Sequence, residues 1–158
     1  MRRISHRGNI AGPQPSKENT PSYIQAAIDR GYDVEIDVRL IGDCLYLGHD
    51  NPDYQVDLSW LLARKENLWI HTKNFKAMDF LIPHGLRVFY HQNEKHVCIG
   101  NTRNLWSCDL LEATEKSVVP LMGLEEIERH KSLVGGFAGV CSDYIGQLDS
   151  VCESSDYQ

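Results

Sequence analysis

Six short stretches of this chain carry side chains able to do chemistry: His6-Arg7-Gly8, the pair Glu35 and Asp37, Gly48-His49-Asp50, His71-Thr72-Lys73, Phe89-Tyr90-His91 and Ser142-Asp143. The residue types are those of proton transfer near neutral pH, of cation holding and of anion holding. Imidazoles titrate near pH 6.5, carboxylates suit hard cations, and guanidinium and ammonium groups hold oxyanions. Taken singly, each stretch has a bland reading. Glu35 and Asp37 fit the exposed face of an edge strand, His6 a surface histidine, and His49-Asp50 a turn before Pro52. Lys73 fits a solvated helix start, and His91 a satisfied core histidine. What sets the group apart is position, because each stretch follows or ends a short apolar run.

Those runs are the elements that must position the side chains. Asp33 to Leu40 alternates, with Val34, Ile36, Val38 and Leu40 on one face and Glu35, Asp37 and Arg39 on the other. Thr20-Pro21 reads as a helix cap with proline at the first position, Ile24, Ala27 and Ile28 as the helix stripe, and Gly31 as its end. Cys44 to Leu47 is a short apolar run. Asp57 opens a helix carrying Leu58, Leu61 and Leu62, and Leu68-Trp69-Ile70 is a strand. A helix over Ala77, Phe80 and Leu81 stops at Pro83 to Gly85, before the strand Arg87 to Tyr90. Weaker strands are expected near Val97 to Ile99, Leu105 to Cys108 and Val118 to Leu121, then a helix from Leu124 to Leu133 and a strand from Phe137 to Cys141. Strands alternating with helices predict a parallel α/β sheet of about eight strands with crossover connections. Its carboxyl edge is where ligands bind.

Length and composition bound the rest. The chain has 158 residues, 42% hydrophobic and 24% charged, with 6 Pro and 12 Gly, which is the composition of one packed domain. That domain is expected over residues 1–146, with a polar tail over 147–158. Sixteen basic residues against 22 acidic ones leave a formal charge of -6. A general nucleic-acid or anionic-membrane surface is excluded by that field, so an anionic substrate needs a local basic cluster. No apolar run reaches the roughly 18 residues of a membrane span, and MRRISHRG lacks a signal peptide's apolar stretch. Cys44, Cys98, Cys108, Cys141 and Cys152 form no CxxC pair, and their number is odd. They are expected as free, space-filling thiols in a cytoplasmic protein.

His6-Arg7-Gly8, Glu18-Asn19-Thr20, Glu35-Ile36-Asp37-Val38 and His49-Asp50 together resemble the signature of glycerophosphodiester phosphodiesterases, members of the phosphatidylinositol-phospholipase-C-like superfamily. Order and spacing match over the first fifty residues, and Gly139 to Tyr144 resembles the family's closing strand with its Asp-Tyr ending. The resemblance spans about residues 3 to 146, strong at the front and thin between 95 and 135. It implies a TIM-type (β/α)8 barrel. Since such barrels use about 250 residues, this one must be compact, with reduced helices, or else the sheet is open and flatter.

The resemblance also implies a metal-dependent phosphodiesterase. His6 and His49 would be the general acid and base, Arg7 and Lys73 phosphate contacts, and Glu35 and Asp37 metal ligands, with Glu18 and Asp50 supporting them from behind. The family's third strand usually carries Glu-x-Lys. Here that slot reads His71-Thr72-Lys73, which makes His71 the third ligand of one divalent cation. Two carboxylates suit Mg²⁺ or Ca²⁺, and the imidazole tilts the choice toward Mn²⁺. In the related family an adjacent hydroxyl of the substrate attacks first. The expected partner is a small phosphodiester, glycerophosphodiester-like or sugar-linked. Two rivals keep the fold: a phosphodiester-binding module with weakened turnover, and a phospholipase D-like headgroup-cleaving enzyme. Of the aromatic residues, Trp60 is expected in the core and Trp69 toward the helical layer. Trp106, Tyr90 and Tyr144 are expected at the pocket mouth.

Overall fold

The computed structural model describes residues 1–149. Thr20 starts α1 (Pro21–Asp29) as expected, its hydroxyl accepting from the Tyr23 amide at 3.3 Å. Gly31, at φ 86°, turns the chain out of the helix. β1 (Arg2–His6) precedes this helix and β2 (Asp33–Ile41) follows it. Then come β3 (Cys44–Leu47), β4 (Tyr54–Val56), α2 (Leu58–Leu62), β5 (Leu68–Thr72), α3 (Phe75–Leu81) and β6 (Val88–Phe89). The second half holds β7 (His96–Cys98), β8 (Leu105–Ser107), β9 (Ser117–Pro120), α4 (Leu124–His130) and β10 (Gly139–Ser142). Only β4 has no counterpart in the sequence reading. Tyr54-Gln55-Val56, set between Asp53 and Asp57, forms no continuous apolar run to mark it.

The expected TIM-type barrel does not form. The chain builds a mixed ten-stranded sheet with four short α-helices among the described residues, and the sheet is not closed. Its order is β4-β3-β2-β1-β10-β9-β8-β7, with β5 on β2 and β6 on β5. The pairs β1–β2, β2–β5, β5–β6, β1–β10, β9–β10 and β8–β9 are parallel. Pairs β2–β3, β3–β4 and β7–β8 are antiparallel. The physical reason lies in the connections. A parallel crossover that carries a packed helix needs a dozen or more residues; segments 90–95 and 99–104 are shorter than that, and segment 108–116, between parallel β8 and β9, carries no helix. The chain therefore turns back on itself between β7 and β8 instead of crossing over. β6 and β7 do not pair, and an isolated antiparallel bridge, Val88 to Gly100, spans that side.

Two apolar clusters fill the structure. The larger lies between the sheet and its helices, where Ile24, Ala27, Val34, Ile36, Leu61 and Leu81 are fully buried. The smaller holds Ile4, Trp69, Phe89, Ile99, Trp106, Val118 and Cys141 on the other face of the sheet. Within it Phe89 of β6 stacks on Trp106 of β8 at 4.5 Å between centroids. Strands near opposite ends of the sheet order thus meet, so the sheet bends around this inner cluster. Trp69 belongs to that cluster and not to the helical layer, a correction that follows from its sharing a face with His71 along β5. Trp60 packs against the outer cluster, with the Arg64 guanidinium 4.4 Å from its ring centroid.

The domain also runs past the expected boundary at residue 146. Leu148 is fully buried, and Asp149 pairs with Arg3 and accepts a hydrogen bond from the Tyr32 hydroxyl at 2.6 Å. The rest of the expected polar tail, and Cys152, lie outside the described residues. Cys44, Cys98, Cys108 and Cys141 are free thiols. No helix among the described residues is long and apolar enough to cross a membrane.

Candidate active site

The carboxyl ends of β1, β2, β5 and β10 deliver most of the singled-out residues to one place. Register explains it: His6 lies beside Glu35 across β1–β2, and Asp37 beside His71 across β2–β5. Neighbours in register project to the same side of a sheet. Glu35 and Asp37, 2% and 0% exposed, sit on its inner face and not on a solvated edge.

These two carboxylates and His71 offer one ligand atom each, all within 4.8 Å of one another. His71 Nδ1 lies 3.3 Å from Asp37 Oδ1 and 3.8 Å from Glu35 Oε1. Its Nε2 is 3.0 Å from the His91 carbonyl oxygen. A carbonyl only accepts, so Nε2 carries a proton, and Nδ1 is the ring nitrogen that faces the two carboxylates. Glu35 Oε2 and Asp37 Oδ1 are buried without hydrogen-bond partners. Such a group could hold a metal ion, and an imidazole tied at its far nitrogen to a carbonyl is the usual support for a ligand histidine. Phe89 stacks on His71 at 5.1 Å and 5° and fixes the plane of its ring.

The carboxylates part electrostatically although they are neighbours. Burial and the negative charge of Asp37 push Glu35 upward, more than His6, His71 and Arg7 pull it down. Asp37 is buried as deeply, but His71, Arg7, Lys73 and Asn19 more than offset that burial and hold it well below the ordinary carboxylate range. Arg7 Nε stands 2.9 Å from Asp37 Oδ2 but off the line of its own N–H bond, an ion pair without a hydrogen bond. Lys73 Nζ is 3.5 Å from Asp37 Oδ1.

His6 and His49 occupy different environments. His6 Nδ1 is 2.7 Å from Asp143 Oδ1, and its Nε2 is 3.8 Å from Glu35 Oε2. Burial would lower its pKa, but the Asp143 hydrogen bond and the Glu35 charge outweigh burial and raise it. Asp143 is lowered in turn, its own burial overcome by His6 and Asn9. Each thus favours the charged form of the other. His49 is 41% exposed at the side chain and bonds to Asp50 at 2.8 Å. Asp50 is itself 84% exposed, so solvent shares its charge. The loop is held from beneath, because Arg39 donates to the carbonyls of Gly48, His49 and Asp50 at 2.9, 2.6 and 3.0 Å. Gly48 sits at φ 137°, where a Cβ would come within 2.1 Å of the Asn51 carbonyl oxygen.

Glu18 accepts from Arg7 Nη1 at 3.3 Å and from Asn9 Nδ2 at 2.8 Å. Three further residues matter that the sequence reading left without roles. Asn9 also donates to Asp143 at 2.8 Å and accepts from the Gln14 amide at 3.1 Å. Asn19, in the left-handed region at φ 60°, donates to Asp37 Oδ2 at 2.9 Å and accepts from the Asp37 amide at 3.0 Å. Asp143 is the His6 partner. The available signal was placement: Asn9 follows His6-Arg7-Gly8, Asn19 is the centre of Glu18-Asn19-Thr20, and Asp143 follows the closing strand.

These groups open into a cleft of about 180 Å³ lined by His6, Arg7, Glu35, His49, His71 and the apolar wall of Phe89 and Trp106. Trp106 lines it as expected, and so does His91. Tyr90 and Tyr144 do not: Tyr90 accepts from Gln92, and Tyr144 packs against Gly12. Comparison with family models, curated proteins and solved structures finds no match to this chain.

Proposed function

We propose that this chain is a phosphoric diester hydrolase that uses one divalent cation and acts on a small phosphodiester, as its resemblance to the glycerophosphodiester phosphodiesterases implies. The observation that carries the reading is the convergence of Glu35, Asp37 and His71, with buried unpartnered oxygens, beside a cleft that Glu35 and His71 line together with His6, His49 and Arg7. These three residues would hold the cation, which supplies Lewis-acid stabilisation of the charge gathering on the phosphoryl oxygens. Arg7 offers a planar fork to two phosphate oxygens, and Lys73 a point charge. His6, fixed by Asp143, gives a proton to the oxygen of the departing alcohol. His49, the more exposed imidazole, takes one from the attacking hydroxyl, whether of substrate or water. The apolar wall keeps part of the cleft dry, which strengthens each of these charge interactions.

The test is a screen of phosphodiesters over chelator-treated protein supplied with Mg²⁺, Mn²⁺ or Ca²⁺ in turn. Turnover that depends on one of these ions supports the reading, and His71→Glu should then shift preference from Mn²⁺ toward Mg²⁺ or Ca²⁺. Tight binding of a diester without product in any ion would replace the enzyme with a binding module on the same fold. Product isomers, cyclic phosphates included, separate hydrolysis of the diester from phospholipase D-like cleavage.

A further inference from the structure

The amino ends of the strands, opposite the cleft, carry a second concentration of charge. Arg2 opens β1, Arg87 precedes β6, and Arg103 lies in the turn before β8. Together with Trp69 and Asn104 they line a hollow of about 410 Å³. The Arg87 guanidinium lies 4.8 Å from the Trp69 ring centroid, with its side chain 15% exposed. Its Nη1 is buried without a hydrogen-bond partner, 3.8 Å from Asp33, and its Nη2 is 3.7 Å from Glu66 at the surface. Asp33 is already engaged: it takes the Trp69 indole N–H at 3.0 Å, Arg2 at 3.4 Å and Asn67 at 3.3 Å. Three guanidinium groups thus meet two carboxylates, one of them mostly solvated, on a chain whose formal charge is -6. Burial, and after it the charge of Arg2, draw the Arg87 pKa down against the pull of Asp33 and Glu66. The cluster is short of negative charge.

We propose that this hollow is a binding site for a small phosphate-class oxyanion, either inorganic phosphate or a phosphate monoester. Arg87, stacked on Trp69 beside Asp33 and Glu66, sets positive charge in the wall of the hollow, and the exposed Arg2 and Arg103 close on the anion from the rim. Guanidinium groups suit this ligand because their planar forks match pairs of phosphate oxygens. The site is separate from the candidate cation centre, shares no lining residue with that cleft, and does not rest on the proposed activity.

The test uses the full chain and the indole N–H resonances of its three tryptophans in a ¹⁵N NMR titration with inorganic phosphate. Trp69 borders the hollow, Trp106 lines the cleft, and Trp60 lies at neither, so the resonances tell the sites apart. A saturable shift of Trp69 is expected, weakened about tenfold or more by Arg103→Ala and likewise by Arg2→Ala. Both side chains are exposed, so neither change removes core packing. Repeating the titration with glycerol 1-phosphate identifies which of the two anions binds tighter. The proposal is overturned if Trp69 does not move, if sodium chloride at equal ionic strength moves it as far, or if Arg103→Ala leaves the midpoint unchanged. Movement of Trp106 alone would overturn it too, by placing the anion in the cleft.

Discussion

At the scale of single residues, the two histidines differ in what holds them. His6 is half-buried and orientated by Asp143, whereas His49 rests on a solvated aspartate. Truncation of either, His6→Ala or His49→Ala, is expected to lower turnover at least about 100-fold, the low end of acid–base contributions, with little change in melting temperature. The pairing adds a sharper expectation. Asp143→Asn keeps the shape of the contact but removes the charge that favours the imidazolium, so kcat should fall while KM changes little. Steady-state kinetics of this variant beside His6→Ala checks it, and a wild-type kcat would release Asp143 from any role in positioning His6. The chemistry-bearing types were legible at this scale. Their partners were not, because Asn9, Asn19 and Asp143 act through contacts 9 to 137 residues away along the chain.

At the scale of elements, caps and loop geometry decide where side chains end up. Asn74 illustrates this. Its Oδ1 accepts from the Ala77 amide at 3.0 Å, capping α3, and from the Leu40 amide at 3.2 Å, while its Nδ2 donates to the Leu40 carbonyl at 2.9 Å. One side chain thus fastens the far end of β2 to the helix after β5, and these are the two strands that present Asp37 and His71. Asn74→Ala should cost about 1–2 kcal/mol, because both a helix cap and two strand-end bonds are lost. Urea denaturation would show it as a lower midpoint with an unchanged slope. Sequence pattern located α1 and β2 by their periodicity, and β5 by the apolar run Leu68-Trp69-Ile70. It passed over β4, where Gln55 breaks the apolar run that marked the other short strands.

For the whole molecule, the residues beyond the last strand close the structure. Leu148 is buried, and Asp149 binds both Arg3 and Tyr32, linking the end of the described chain to β1 and to the start of β2. Burial, and then the hydrogen bond and charge of Asp149, push the Tyr32 phenol up to about 12. In the folded state it keeps its proton while the unfolded chain ionises near pH 10. The stability this contributes is therefore complete below about pH 10 and lost as pH climbs toward 12. Thermal melts across that range should show an alkaline decline that is shallower in Tyr32→Phe. An equal decline in the variant would detach Tyr32 from it.

The sequence by itself determined the local and repetitive features. Among them are the α1 cap, the alternation that sets Glu35 and Asp37 on one face, and the recurrence of polar groups at strand ends. Each rests on neighbours a few residues apart. Only the tertiary structure decided that the sheet is mixed and unclosed, because strand direction depends on whether a connection can pack a helix against distant strands. It also decided which side of the sheet faces inward, and so turned Trp69 away from the helices and gave the His71 imidazole two carboxylates to face. Closure and facing are set by burial summed over the whole chain, a quantity that no stretch of sequence contains alone.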